Sequence, residues 1–92
     1  MDPAADLGVV IAIASALLDK IVPFDTVFLG EVGLSAEVRS VSQIIPRINE
    51  AQKLGFKKCI LPKNNLNMRE DIKRADIEII GVETLREALD VL

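Results

Sequence analysis

The alternation of apolar and polar stretches divides the chain into short helices and strands. Asp2 and Pro3 are typical of a helix cap followed by the first helical position, and the apolar run after them predicts a helix over about residues 4–19. Its apolar residues cover nearly the whole circumference, which is typical of a buried helix. Gly8 lies in this helix and would let another backbone approach it closely.

Residues 26–41 predict a hairpin of two short strands, around which the flanking helices are expected to pack. An apolar run over residues 27–29 ends at Gly30, and apolar and polar residues then roughly alternate as far as Arg39. Strand-like runs bounded by Gly and Ser are typical of hairpins. This hairpin is therefore expected to hold one helix before it and another after it.

The helix after the hairpin is expected to begin with Ser42 as its cap and to end at about residue 54. Regular helix must start close to Pro46, because proline lacks the N–H that a helix interior uses. Gly55 is typical of the residue that ends a helix. The inward-facing stripe of this helix is expected to consist of Ile48, Ala51 and Leu54.

The last third of the chain predicts two strands and a final helix. The pattern predicts a strand over residues 56–61, which Pro62 ends, and then a polar loop over residues 63–67. A charged helical turn over residues 68–75 and a strand over residues 76–82 are expected to follow. Thr84 with Glu87 three residues later forms a capping box before the final helix. The inward-facing apolar stripe of that helix is expected to consist of Leu85, Ala88, Leu89 and Leu92. We therefore predict an α/β fold with helices packed on a mixed sheet, in a single domain over residues 1–92.

Composition limits what this domain can do. Half of the 92 residues are hydrophobic but only 3% are aromatic, so the core must be aliphatic and base stacking on aromatic platforms is poorly supported. A single cysteine, Cys59, excludes an internal disulfide and favours a reducing compartment, and without histidine a conventional zinc site is not expected. The apolar run over residues 7–18 is too short for a bilayer, which needs about 20 residues. With no visible signal peptide, we expect a cytoplasmic protein without a membrane partner.

Positive charge is concentrated in one block of the chain. Residues 39–63 contain six basic residues against one acidic residue, whereas the segments on both sides are net negative. The six are Arg39, Arg47, Lys53, Lys57, Lys58 and Lys63. They are candidates for a surface that binds anions, DNA in particular, because phosphate neutralisation dominates non-specific DNA affinity. The alternative is an ordinary solvated face with no ligand.

The residues by themselves offer no convincing catalytic constellation. There is no histidine base, no glycine-rich phosphate loop and no acidic cluster with metal-binding spacing. Ser15 is explained by a hydrogen bond to the preceding helical turn, and Ser35 and Ser42 by a turn and a cap. Cys59 lies in an apolar strand and is expected in the core.

Two motifs of the chain are specific enough to compare with known families, namely GEVGLSAEVR at residues 30–39 and EAQKLGF at residues 50–56. Together with further matches over nearly the whole chain, they resemble the C-terminal region of the RadA/Sms family of bacterial DNA repair proteins. The resemblance implies the C-terminal portion of a Lon-protease-like domain in a longer protein. That protein would be a ring-shaped homo-oligomer, an ATP-driven branch-migration motor on single-stranded DNA, with a recombinase filament as a further partner. The ATP, Mg and Zn that such proteins use would bind outside this chain.

The same region is similar to the proteolytic domain of Lon proteases. In those enzymes a serine at the start of the corresponding helix is the nucleophile, and a lysine after the hairpin is its base. Aligning Gly30 and Glu31 with the protease's own Gly-Glu pair places Ala4 at the serine position and Arg47 at the lysine position. Alanine has no hydroxyl, and arginine, with a pKa above about 12, does not lose its proton. The resemblance therefore implies a pseudo-protease with no catalytic residue and no cofactor in this chain.

Three functions stay open on this reasoning. The first combines ring assembly with DNA contact, with Arg47 as the leading phosphate ligand; alternatively, Arg47 is an exposed cation paired with Glu50 or Asp71. The second is a module for subunit contacts alone. The third is a hydrolase with another nucleophile, such as Ser35 or Ser42. If the chain inherited the place of a protease site, Ala4 and Arg47 are expected to share one cleft.

Overall fold

A small parallel sheet with helices on both faces is the centre of this computed structural model, which describes residues 2–68 and 76–92. A 3-10 turn at Pro3–Ala5 leads into the first helix. The helices are α1 (Asp6–Leu17), α2 (Ile44–Lys53), α3 (Lys63–Met68) and α4 (Leu85–Asp90). The strands are β1 (Thr26–Phe28), β2 (Glu31–Val32), β3 (Val38–Arg39), β4 (Lys58–Pro62) and β5 (Glu78–Val82). The predicted α/β class is confirmed.

The parallel sheet has the order β1-β4-β5 and is buried on both faces at its central strand. Successive side chains of a strand point to opposite faces, so Ile60 enters one core while Cys59 and Leu61 enter the other. All three side chains are fully buried. The first core lies under α1 and α4, and the second lies under α2 and α3. This arrangement explains why β4 is a continuous apolar run, as strands covered on both faces are.

The predicted hairpin is shorter than expected, because its first apolar run belongs to another sheet. β1 pairs in parallel with β4, and the N–H of Leu29 donates to the carbonyl of Ile60. The antiparallel hairpin is β2 with β3, in which Val32 lies opposite Val38. Both strand directions of the expected mixed sheet are thus present, but in two separate sheets.

Helix α1 has nearly the predicted bounds, but the expectation that it is buried all round is wrong. Leu7, Ile11 and Ser15 form its buried side, and the Ser15 hydroxyl donates to the Ala12 carbonyl at 2.9 Å, as predicted. Val9 and Ile13, on the other side, are 43% and 59% exposed. An apolar circumference makes burial favourable on every side, yet the described elements pack against only one side.

Helix α2 differs from the prediction in its N-cap and in one residue of its buried stripe. Its N-cap is Gln43, in the left-handed region with φ 58°, rather than Ser42. Pro46 is the third residue of the helix, where the missing N–H costs little because the first N–H groups of a helix have no partner. Leu54 is 68% exposed, and Ile44 takes its place in the buried stripe. Gly55, with φ +92°, ends the helix as predicted.

The segment predicted as a polar loop over residues 63–67 is in fact helix α3, which directly follows β4. The polar residues of this segment did not indicate a helix, and the side chain of Asn65 within it is buried. Most of the charged turn predicted over residues 68–75 lies outside the described residues. In α4, the Glu87 N–H donates to the Thr84 hydroxyl at 3.2 Å, which confirms the predicted cap.

Candidate functional site

Ala4 and Arg47 line one cavity of about 250 Å³ at the C-terminal edge of the parallel sheet. The 3-10 turn is held there because Gly30, just after β1, exchanges backbone hydrogen bonds with it. The Gly30 N–H donates to the Ala4 carbonyl and the Leu7 N–H donates to the Gly30 carbonyl, both at 2.9 Å. Ala4 is buried, and Glu31, Ser40 and Ser42 complete much of the cavity wall.

Each nitrogen of the Arg47 guanidinium donates to a neighbouring oxygen. Its Nε donates to the Ser42 carbonyl at 2.8 Å, and its two terminal nitrogens donate to the carboxylate of Asp2 at 2.5 and 3.3 Å. The carboxylate that pairs with Arg47 is therefore that of Asp2. The sequence had suggested Glu50 or Asp71 as the partner, and Asp71 lies outside the described residues. The pair joins the start of α2 to the segment that precedes α1.

Asp2 combines two roles at this junction. Besides binding Arg47, its Oδ1 accepts the Ala4 N–H at 3.0 Å and so caps the 3-10 turn, as the sequence predicted. The hydrogen bond from Arg47 and then the one from the Ala4 N–H lower the pKa of the Asp2 carboxyl below its ordinary value. Both hydrogen bonds therefore favour the charged form of this carboxyl group. The sequence identified the cap but gave no signal for the ion pair, whose members are 45 residues apart.

Asn65 supports the cavity from α3 and was missed by sequence reasoning. Its Oδ1 accepts the Val41 N–H and its Nδ2 donates to the Val41 carbonyl, both at 3.0 Å. The side chain, only 3% exposed, thereby pairs with the loop between β3 and α2 as a neighbouring strand would. Ser42, whose carbonyl binds Arg47, is the next residue of that loop. In the sequence Asn65 follows Asn64 and precedes Leu66 and Asn67, so nothing distinguished it as the amide that would be buried.

The chemistry of the cavity gives little support to hydrolysis. Ser42 lies on its wall, but the cationic side chain beside it is Arg47, which cannot act as a base because it does not deprotonate. Ser35 is exposed in the hairpin turn, where its N–H donates to Glu37 Oε1 at 3.0 Å. Burial raises the pKa of the Cys59 thiol to about 12, so this thiol stays protonated in the core.

The six basic residues singled out from the sequence lie at two opposite edges of the sheet. Arg39, Arg47 and Lys63 are at the C-terminal edge of the strands, whereas Lys53, Lys57 and Lys58 are at the N-terminal edge. The length of β4 separates the two groups by roughly 13 Å. They therefore form two small groups rather than one continuous basic patch.

Carboxylates accompany most of these cations. Arg39 pairs with Glu37 at 3.2 Å, Lys63 pairs with Glu83 at 3.4 Å, and Lys58 lies 4.0 Å from Glu78. For Lys53 and Lys57, no ion pair is formed with any residue in the described ranges 2–68 and 76–92. These two lysines are consequently the members of the set whose ammonium groups are most available to a phosphate.

A larger cavity of about 550 Å³ adjoins the first and shares Glu31 and Ser40 with it. Its wall contains Glu37, Arg39 and Glu83, so charges of both signs face it. Among the residues that the structure describes, no group of three or more Cys, Asp or Glu side chains is arranged to hold a metal ion. Likewise, none of the described helices is long and apolar enough to cross a bilayer.

Comparison with known proteins assigns the chain to a family. The family model described as subunit ChlI of Mg-chelatase matches residues 2–65, which include every residue named above on the wall of the smaller cavity. The chain belongs to this ChlI family. The match also includes both members of the Asp2–Arg47 pair and Asn65.

Curated relatives of this ChlI-family chain bear the name DNA repair protein RadA, which supports the resemblance predicted from the motifs. The chain is 44% identical over 88 residues to the protein of Listeria monocytogenes, and 48% identical over 88 residues to that of Streptococcus pneumoniae. With the protein of Chlamydia pneumoniae it shares 36% over 92 residues. These alignments cover 96%, 96% and 100% of this chain, which spans about a fifth of the length of each relative.

Proposed function

We propose that this chain is the non-proteolytic, Lon-like domain of a RadA-type DNA repair and recombination protein. In this proposal it supports ring assembly and contact with single-stranded DNA, while an ATP-driven branch-migration motor lies elsewhere in the longer protein. The similarity to proteins named DNA repair protein RadA supports the repair role. We also propose a cytoplasmic location, for which the unpaired, buried Cys59 is the supporting observation.

The observation that carries the non-proteolytic part is the composition of the smaller cavity. Where a Ser-Lys dyad needs a hydroxyl and an amine that can lose its proton, this cavity has the methyl group of Ala4 and the guanidinium of Arg47. Arg47 instead forms a bidentate ion pair with Asp2, an arrangement typical of structural cross-links. In our proposal, Arg47 at the former lysine position thus links the start of α2 to the segment that precedes α1.

The available charges suggest which residues would contact DNA. Lys53 and Lys57 have no carboxylate partner among the described residues, and Lys58 has only a distant one. The ion pairs of Arg39 and Lys63 are solvent-exposed and therefore weak, so a phosphate could replace the carboxylate at little cost. Arg47 belongs to the same set, but binding a phosphate would require it to leave Asp2.

A salt series tests the DNA contact. Single-strand binding is measured for the full-length protein that contains this chain, with Lys53→Ala, Lys57→Ala and Arg47→Ala, and with Arg86→Ala on exposed α4 as the matched control. Each lost phosphate contact should reduce the slope of log affinity against log salt by about 0.7. We expect this change for the two lysine variants and not for the control. Affinity and slope that stay unchanged in all of them would remove DNA contact from these residues.

A second candidate is a module for subunit contacts alone, favoured by the large exposed apolar side chains of α1 and the segment after it. Light scattering of the full-length protein with Arg47→Glu separates the two candidates. Broken rings indicate that the cavity serves assembly, whereas intact rings with lost DNA binding indicate contact with DNA.

The hydrolase alternative is tested with a serine-reactive probe. Labelling at Ser35 or Ser42 would revive that alternative, and we expect no labelling.

A further inference from the structure

One phenylalanine of the chain projects from the N-terminal edge of the parallel sheet. Phe28 is buried and Phe56 is half-buried, but the side chain of Phe24 is 95% exposed. Phe24 lies between α1 and β1, two residues before the strand begins. An aromatic ring has a large apolar surface and an electron-rich face, and both are available here to a flat ligand.

The backbone around Phe24 forms a tight turn that is anchored to the sheet. The Thr26 N–H donates to the Pro23 carbonyl at 3.2 Å, which places Phe24 at the first corner of a four-residue turn. The Asp25 carbonyl accepts from the Lys57 N–H at 2.8 Å, just before β4. A ring on a backbone fixed in this way loses little conformational entropy when it binds a ligand.

The same anchoring sets the ring beside lysines that have no acidic partner. The backbones of Asp25 and Lys57 are about 4.8 Å apart, the spacing of neighbouring strands. Lys53, at the end of α2, lies at the same edge of the sheet. Within the part of the chain that the structure describes, neither lysine forms an ion pair. Glu78 lies on β5, beyond β4 and on the side away from Phe24.

We propose that Phe24 stacks on one unpaired base of the single strand that Lys53 and Lys57 are proposed to contact. An aromatic face beside free ammonium groups is a combination with which proteins bind single strands, because the base stacks on the ring while the cations bind the phosphates. In a duplex the faces of the bases are covered by their neighbours, so such a ring selects for single strands. This inference rests on the DNA contact proposed above and adds a base contact to it.

Charge favours a nucleic acid over a protein surface as the occupant. A protein that covered Phe24 would also approach the ammonium groups of Lys53 and Lys57, and lysine is depleted in protein–protein interfaces. The phosphates of a strand neutralise these charges instead and release counterions. The low aromatic content of the chain argues against a row of stacking platforms, whereas one stacked base needs only one ring.

Single-strand binding by the full-length protein that contains this chain tests the stacking. Phe24→Ala should weaken binding of an oligothymidylate by at least about fivefold, the smallest factor expected for the loss of one stacked base. The slope of log affinity against log salt should stay unchanged because no charge is removed, whereas Lys57→Ala should reduce it. Leu34→Ala is the matched control, since Leu34 is also fully exposed but lies in the hairpin turn.

Two further comparisons separate stacking from a general apolar contact. Phe24→Trp should keep the affinity and Phe24→Leu should not, because leucine is apolar but has no aromatic face. An abasic oligonucleotide keeps the phosphates without the bases, so the wild-type protein and Phe24→Ala should bind it equally. Unchanged binding of oligothymidylate by Phe24→Ala overturns the proposal. So does a loss that persists on the abasic strand, a full recovery with Phe24→Leu, or a Phe24→Ala protein whose rings are broken in light scattering.

The stacked base and the phosphate contacts fail separately in these measurements. Weaker binding by Phe24→Ala, with unchanged salt slopes for Lys53→Ala and Lys57→Ala, supports the stacked base and removes the phosphate contacts from the two lysines. Reduced slopes for the lysine variants, with full affinity for Phe24→Ala, keep the phosphate contacts and overturn the stacking.

Discussion

Truncating Asn65 to alanine tests whether the loop between β3 and α2 depends on one buried side chain. The amide of Asn65 makes two hydrogen bonds of 3.0 Å to the backbone of Val41 and is 3% exposed. Alanine removes both bonds and leaves the Val41 N–H and carbonyl without a partner. Because Ser42 follows directly, the loss also loosens the carbonyl that accepts from Arg47.

The magnitude follows from the energetics of buried hydrogen bonds. Each bond contributes about 0.5–1.5 kcal/mol net, and an unsatisfied buried group costs about 1–3 kcal/mol. Two effects reduce this cost. Val41 is only half-buried, so water can reach its N–H or carbonyl once the amide is removed. In addition, alanine improves the helix propensity of α3 by about 0.5 kcal/mol. We expect a loss of about 2 kcal/mol in the free energy of unfolding. For a domain of this size that corresponds to a decrease in Tm of roughly 10 °C.

Urea denaturation followed by circular dichroism measures this loss, and Asn67→Ala is the matched control. Asn67 lies in the same helix but is exposed, so it receives the same gain in helix propensity without losing a buried bond. Asn65→Asp keeps the acceptor for the Val41 N–H but sets a carboxylate against the Val41 carbonyl. It should therefore also destabilise the chain near neutral pH.

Equal urea midpoints for Asn65→Ala and Asn67→Ala would refute the reasoning. The loop would then be held by its backbone geometry or by other contacts, and Asn65 would be a tolerated buried polar residue. A loss of stability in both variants would refute it too, because the effect would belong to the helix and not to the buried amide.

Three further predictions concern the core, the thiol and the cap. Ile60→Ala should lower the free energy of unfolding by about 2–5 kcal/mol and Ile60→Val by about 0.5–1.5 kcal/mol, since Ile60 is fully buried; equal urea midpoints would contradict this. Cys59, with a pKa raised to about 12 by burial, should react with a disulfide reagent only when denaturant opens the fold, and fast labelling of the native chain would contradict it. Asp2 has a lowered folded-state pKa, so its stabilisation is present at neutral pH and is lost as the pH falls through that value. Asp2→Asn should therefore flatten the acid limb of a pH–stability curve, and an unchanged limb would show that the pair with Arg47 contributes nothing.

Local signals in the sequence predicted several elements closely. The Asp2 cap, the Thr84 cap and the Gly55 helix end are all present in the structure. The apolar run over residues 56–61 likewise predicted a strand, which the structure has as β4, and the α/β class followed from the order of the elements. These features depend on contacts within a few residues or on the period of the pattern, and both can be read along the chain.

Contacts between distant segments were beyond the sequence. The apolar circumference of α1 did not show which side would be covered, and the run over residues 27–29 did not show that β1 would join β4 instead of β2. Lys53 and Lys63 belong to one basic block in the sequence but to opposite edges of the sheet in space. A count of charges along the chain contains no distances, whereas helices and strands place residues of one sequence block far apart in space.

The sequence by itself therefore determined most of the element order, the caps, the aliphatic core and the identities of Ala4 and Arg47. Only the tertiary structure decided that these two positions share a cavity and that Asp2 neutralises Arg47. The physical reason is the separation along the chain. The bonds from Asn65 to Val41 span 24 residues and those from Arg47 to Asp2 span 45, so they form only when the packed core brings their segments together.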